Sequence, residues 1–380
     1  MGVTEQGAVV SRTARRAIER AACSRLFWAC AGAGAVIVGV DMIAFGTKRG
    51  RAAVAPLIVQ SLLGPVPHGV PRRAYAVGSA VHSGVPANEA LWYLSPEWRE
   101  EEEVPVRMTS ADGTLRLAGW ERFARDVAQA GPCEPYGGET AHAAASKCWV
   151  VLVHGWRGFH GEVEMLAQVW TLLGWNVLSV DLRAHGDSEG AWAGMSAPDA
   201  ADVAAWAADL VRRYGEDVRI VLHGHSMGGA TVAGAAADAA LPSQVEAVIA
   251  DCAFTSAHAM FDELARSAVP LRSMRTRLFE AARKWLLEQG GYDLALASPL
   301  DRVRAARVPI LFVHGTADNF VPPWMSGALF DACAAPLKWL HFVEGAGHCE
   351  SMRRDPAGYF GTVLAFLDAA RAGKIGAAIV

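Results

Sequence analysis

The run Val221-Leu222-His223-Gly224-His225-Ser226-Met227-Gly228-Gly229-Ala230 decides the fold of this chain. Val218 to Leu222 reads as a short strand without polar alternation, and Gly228 to Ala239 reads as a helix. A G-x-S-x-G pattern fills the turn between them. A strand-to-helix turn this sharp strains the backbone at its serine, so the residues two before and two after must be nearly free of side chain. Gly224 and Gly228 meet that need. The turn lifts the Ser226 hydroxyl above the sheet edge, and the helix behind it aims amide dipoles at the same place.

Working outward, further short apolar strands are expected at Cys148–Val153, Asn176–Val180, Val245–Ala250, Pro309–Val313 and Lys338–Val343. Helical spacing separates them over 162–173, 198–214, 325–334 and 355–371. Unalternating strands between helices imply a mostly parallel sheet covered on both faces. With right-handed crossovers the result is a doubly wound α/β domain. Ahead of it, alternating runs at Val104–Thr109 and Thr114–Ala118 flank Asp112-Gly113 and predict a β-hairpin. The interval 253–300 breaks the rhythm with helical stretches and no strand, and is read as a lid at the carboxyl edge of the sheet.

Composition removes several classes. The chain has 380 residues, 52% of them hydrophobic, which excludes a wholly disordered protein. Its net charge of −4 gives no basic excess for a nucleic-acid binder. Seven cysteines without a CxxC pair argue against zinc, thioredoxin-like chemistry and a disulfide framework, and Cys349 reads as a small packed residue.

A serine hydroxyl needs a base. Glu344-Gly345-Ala346-Gly347-His348-Cys349 follows the last expected strand, and its glycines let the loop bend His348 back over the sheet edge. The base needs an acid to hold its tautomer. Asp318, in His314-Gly315-Thr316-Ala317-Asp318, stands beyond the preceding strand, with Asp251 as its rival. The order Ser, Asp, His suits this architecture. Asp181 and Asp187 read as structural members of a hydrogen-bonded loop. For the oxyanion, the amides of Met227 and of Trp156, in His154-Gly155-Trp156-Arg157-Gly158, are the expected donors. This chemistry calls for no metal and no organic cofactor.

These pieces resemble the α/β-hydrolase fold family, and within it the serine hydrolases called serine aminopeptidase S33-like or lysophospholipase-like. The resemblance covers roughly residues 104 to 370 and includes His154-Gly155, the run Asp181 to Ser188, Gly224 to Gly229, Asp251 to Ser256, Asp318 and His348. It implies a hydrolase working through an acyl-enzyme on a small ester or amide. The preferred expectation is an ester with an apolar acyl part. An aminopeptidase or amidase is the alternative, with Asp262, Glu263 and Glu280 available for an α-amine. A catalytically dead interaction scaffold is a third reading.

The N-terminal part divides into a basic segment at 1–25, an apolar stretch at 26–46 and an irregular linker at 47–103, before a hydrolase domain at 104–371. About twenty apolar residues cross a bilayer, so 26–46 is expected to be a single membrane anchor, with a cleaved signal or a buried helix as alternatives. Asp41, inside the stretch, counts against the anchor. A short helix is expected near Leu57–Leu63.

Overall fold

A computed structural model describes residues 55, 56, 59, 60, 63, 64, 103–124, 146–267 and 269–380. The stretch 26–46 lies outside the described residues. No helix among the described residues is long and apolar enough to cross a membrane.

The hairpin forms as expected. β1 (Val104–Thr109) and β2 (Arg116–Arg122) pair antiparallel around the Asp112-Gly113 turn, where Gly113 takes a φ of +76°. Then come β3 (Cys148–Val153), α1 (Glu164–Leu172), β4 (Asn176–Val180), α2 (Ala197–Tyr214) and β5 (Arg219–His225). They are followed by α3 (Met227–Ala235), β6 (Val245–Asp251), α4 (Ala257–Ala265), α5 (Arg272–Gly290) and α6 (Pro299–Val303). The chain closes with β7 (Ile310–Gly315), α7 (Trp324–Ala332), β8 (Leu337–Val343), α8 (Ser351–Arg354), α9 (Pro356–Arg371) and β9 (Gly376–Ile379).

The strands form one sheet in the order β1-β2-β4-β3-β5-β6-β7-β8-β9. It is parallel from β4 through β9, and β2 joins β4 antiparallel. Because β3 to β7 are buried on both faces, their sequences are continuous apolar runs. One face carries a core in which Trp206 and Leu210 of α2 and Val232 of α3 meet Val151, Leu222 and Phe312. The other packs Trp170 of α1 and Tyr359, Val363 and Phe366 of α9 against Val150, Val221 and Leu311. The sheet runs on past residue 371, because β9 adds a parallel partner to β8. Its sequence, Gly-Ala-Ala-Ile, has too little bulk and alternation to announce a strand.

The 253–300 interval is helical, as expected, and contains α4 and α5. Residues 55, 56, 59, 60 and 63 have helical backbone, in agreement with a short helix there. Val59 and Leu63 are buried in a third apolar cluster with Ala257, Phe279, Ala282 and Leu294 of the insertion. This part of the 47–103 region is therefore packed against the domain.

Candidate active site

Ser226 sits between β5 and α3 with φ +55° and ψ −120°, outside the favoured regions for a residue with a Cβ. The glycines around it are obligatory for a steric reason. A Cβ on Gly224 would lie 2.4 Å from the carbonyl of Gly228, and one on Gly228 would lie 2.1 Å from the Val153 oxygen. The turn is held from behind, since the Ser226 amide donates to the Asp251 carbonyl at 2.9 Å.

Three side chains far apart in the sequence meet above this edge. His348 Nε2 lies 2.9 Å from Ser226 Oγ, and His348 Nδ1 lies 2.7 Å from Asp318 Oδ2. All three residues are buried. Asp318 is fixed from several sides. Its Oδ1 accepts from the amides of Phe320 and Val321, each at 2.9 Å, and its Oδ2 also faces His314 Nε2 at 3.2 Å. Burial opposes the Asp318 charge, but His348 and His314 outweigh it and hold the carboxyl below the ordinary carboxylate range. Burial likewise disfavours the His348 cation. The Cys252 sulfur and the Asp318 carboxylate more than offset that, so His348 titrates well above the ordinary histidine value of 6.5.

Asp251 closes β6 and belongs to a different network. Its Oδ1 accepts from the Ser351 hydroxyl at 3.0 Å, and burial followed by the neighbouring Cys252 pushes its pKa up to about 7. Cys252 and Cys349, 97 residues apart, place their sulfurs 3.6 Å from one another beside His348. Cys349 is packed, as expected, but its neighbour is a second thiol that sequence spacing does not reveal. His223 and His225 point away from the hydroxyl of Ser226. His223 accepts from Trp170 Nε1 at 3.1 Å and pairs with the Tyr359 hydroxyl at 2.8 Å, and burial lowers its pKa to about 3. His225 faces Glu162 at 3.6 Å.

The loop after β3 is braced by Glu162 and by the histidines and aspartate around it. Glu162 Oε2 accepts from the Gly155 amide at 3.1 Å. A Cβ on Gly158 would displace the same carboxylate from its place. His154 Nε2 accepts from the Leu182 amide at 3.0 Å, and His185 Nε2 accepts from the Arg157 amide at 3.1 Å. Asp181 takes the amides of His160 at 2.6 Å and Asp187 at 2.7 Å, the structural role expected of it. Only Glu162 lacks a signal in sequence, since an isolated acid ordinarily reads as a solvated residue.

Ser226 opens into a narrow cavity of about 60 Å³. Trp156 and Met227 stand beside it, with Phe254, Phe320 and Val321. In the 253–300 insertion, Phe254, Met260, Phe261, Leu264 and Phe279 line the cavity, while Leu271 and Leu287 are exposed. No carboxylate lines it among the described residues. Asp262 is paired with Arg275 at 2.6 Å, Glu263 with Arg266 at 2.6 Å and Glu280 with Arg283 at 3.0 Å.

The chain shares its fold with the esterase Pf2001 of Pyrococcus furiosus, with a TM-score of 0.53 and 20% identity across 72% of this chain and 94% of that one. In sequence it is 33% identical to the protein YqkD of Bacillus subtilis over 198 residues, 52% of this chain and 63% of YqkD, so the match spans less than two thirds of that relative. It is 26% identical to the protein YfhR of Escherichia coli K12 over 265 residues, 67% of this chain and 75% of YfhR. Residues 150–361, more than half of the chain, match the model of the alpha/beta hydrolase family, and they contain the turn at Ser226 and both of its partners; the chain belongs to that family.

Proposed function

We propose that this hydrolase cleaves carboxylic esters with an apolar moiety through an acyl-enzyme on Ser226, His348 and Asp318. The observation that carries the reading is the relay of 2.9 Å and 2.7 Å contacts from Ser226 through His348 to Asp318, opening into a cavity lined by apolar side chains. Ser226 Oγ attacks the ester carbonyl while His348 Nε2 takes its proton. The amides of Trp156 and Met227 receive the oxyanion. Loss of one such donor typically costs about 2.7–4 kcal/mol. His348 returns the proton to the leaving alkoxide, and water deacylates the enzyme by the same route. Asp318 keeps the imidazole in the Nδ1–H tautomer and stabilises its cation.

The absence of a carboxylate from the described cavity lining favours an ester over a substrate bearing an α-amine, because an ammonium group buried there would lack a counter-charge. Apolar walls suit a lysophospholipid-like or other lipid-like ester. The stretch 26–46 would hold the enzyme to a membrane, and its retention in the pellet after a carbonate wash checks that placement. A panel of p-nitrophenyl esters against aminoacyl anilides tests the activity. Ester turnover with fluorophosphonate labelling, both lost in Ser226→Ala, is the expected result. Labelling that persists in Ser226→Ala, or turnover of anilides alone, refutes the proposal.

A further inference from the structure

The cavity has a wall that comes from outside the 104–371 domain. Val59 and Leu63, 1% and 5% exposed, line it together with Ser226. Both have helical backbone and both are buried in the same apolar cluster. They are fastened by the main chain as well. The Leu63 carbonyl accepts from the Ala193 amide at 2.7 Å, and the Gly64 amide donates to the Val59 carbonyl at 3.2 Å.

Two apolar clusters contribute to the cavity lining. Met227, Phe254 and Val321, which line it with Ser226, are part of the main core over the sheet. Val59 and Leu63 belong instead with Phe279 and Leu294, in the cluster beneath the helical insertion. An apolar chain whose ester carbonyl sits at Ser226 and which fills the cavity would therefore meet Val59 and Leu63 among the walls that bound it.

We propose that Val59 and Leu63 are specificity-determining residues that set the length of the apolar chain the enzyme accepts. This rests on the ester hydrolase reading above and deepens it, because the stopping wall is built by a segment before the hydrolase domain. The substrate class is an ester with a linear aliphatic chain. Truncating a wall residue opens room for added methylenes, and enlarging one removes it.

The test uses the full chain and a series of p-nitrophenyl esters from acetate to laurate, with kcat/KM measured for each. Leu63→Ala is expected to move the optimum toward longer chains, with a gain of roughly fourfold for each methylene newly accommodated, relative to acetate. Leu63→Trp and Val59→Phe are expected to move it toward shorter chains. Opposite displacements by truncation and enlargement cannot come from general loosening of the fold, which would scale every ester alike. If wild-type turns over esters and the optimum stays put in all three variants, or all esters fall by one common factor, the inference is wrong. If wild-type hydrolyses no ester of the series, the ester hydrolase reading fails and takes this inference with it.

Discussion

Two glycines of α3 receive the same substitution with opposite expected outcomes. A Cβ on Gly228 would stand 2.1 Å from the Val153 oxygen and 2.6 Å from the His154 oxygen, more than about 1 Å inside ordinary contact. Both obstacles are main-chain carbonyls at the end of a central strand, so the helix must move. Overpacking of this kind costs typically about 1–3 kcal/mol, and rigid backbone on the far side argues for the upper end. At about 2–4 °C per kcal/mol for a domain of this size, Gly228→Ala should melt about 6–12 °C below wild-type. The displaced helix carries Ser226 with it, and a misplacement of about 1 Å at a reacting group lowers the rate about 10²-fold. Gly234, in the last turn of the same helix, is different. Its added Cβ would lie 3.4 Å from Ala200 Cβ, an ordinary contact. Gly234→Ala should therefore stabilise by about 0.4–1 kcal/mol through the unfolded chain, and should keep ester turnover. Thermal melts of both variants, with kcat/KM on one ester, check the pair. A Gly228→Ala protein that melts with wild-type and turns over at the wild-type rate would refute the claim that close backbone approach positions the proposed nucleophile.

His348 must be neutral to act as base, and its pKa is raised, so kcat/KM should rise with pH along a limb centred above 6.5. Asp318→Asn removes the anion that helps raise it. The limb should move down in pH, with activity reduced by about 10⁴-fold, as pH–rate profiles of the two proteins would reveal. Asp251, raised to about 7 in the folded protein, contributes stability that is complete below the ordinary carboxylate range and is lost as pH climbs from there through about 7. Asp251→Asn should accordingly melt higher than wild-type at pH 8.5, with the gap narrowing at pH 5.5, by scanning calorimetry. Away from the site, Arg122 bonds both oxygens of Glu164, at 2.6 and 2.8 Å, with both side chains buried. Arg122→Met leaves that carboxylate buried without its counter-charge, although Gln168 Nε2 still donates to it at 2.9 Å, and should cost about 3 kcal/mol in urea unfolding.

What the sequence made legible is governed by local steric need. Gly224 and Gly228 are forced by backbone contacts within one turn, so their spacing around Ser226 is visible without coordinates. Strands covered on both faces are predominantly apolar, which is why β3 to β7 can be read from short runs. The loops carrying Asp318 and His348 are recognisable because each follows such a strand. Groups whose meaning depends on distant partners were not legible. Glu162 looks like any surface acid until its bond to the Gly155 amide is seen. Val59 and Leu63 acquire significance only from Phe279 and Leu294, more than 200 residues later. The acids of the insertion read in sequence as available for an amine, yet each is paired with an arginine, three residues away for Glu263 and Glu280 and on the next helix for Asp262.

The competition between Asp318 and Asp251 shows why geometry and environment have to be considered together. Both stand at carboxyl ends of neighbouring strands, and sequence position alone leaves them rivals. A carboxylate that stabilises an imidazolium must itself stay charged through the pH range in which the histidine cycles. Asp318 has two amides on one oxygen and two imidazoles facing the other, a set of partners that favours its anion despite burial. Asp251 has the Ser351 hydroxyl and lies beside Cys252, so burial prevails and its proton is retained into the neutral range. The backbone of Asp251 serves the site all the same, because its carbonyl holds the Ser226 amide and thereby the strained turn. One strand end thus supplies a main-chain anchor and the next supplies a charge. Exchanging the two duties would need the amide donors of Phe320 and Val321 to move with them.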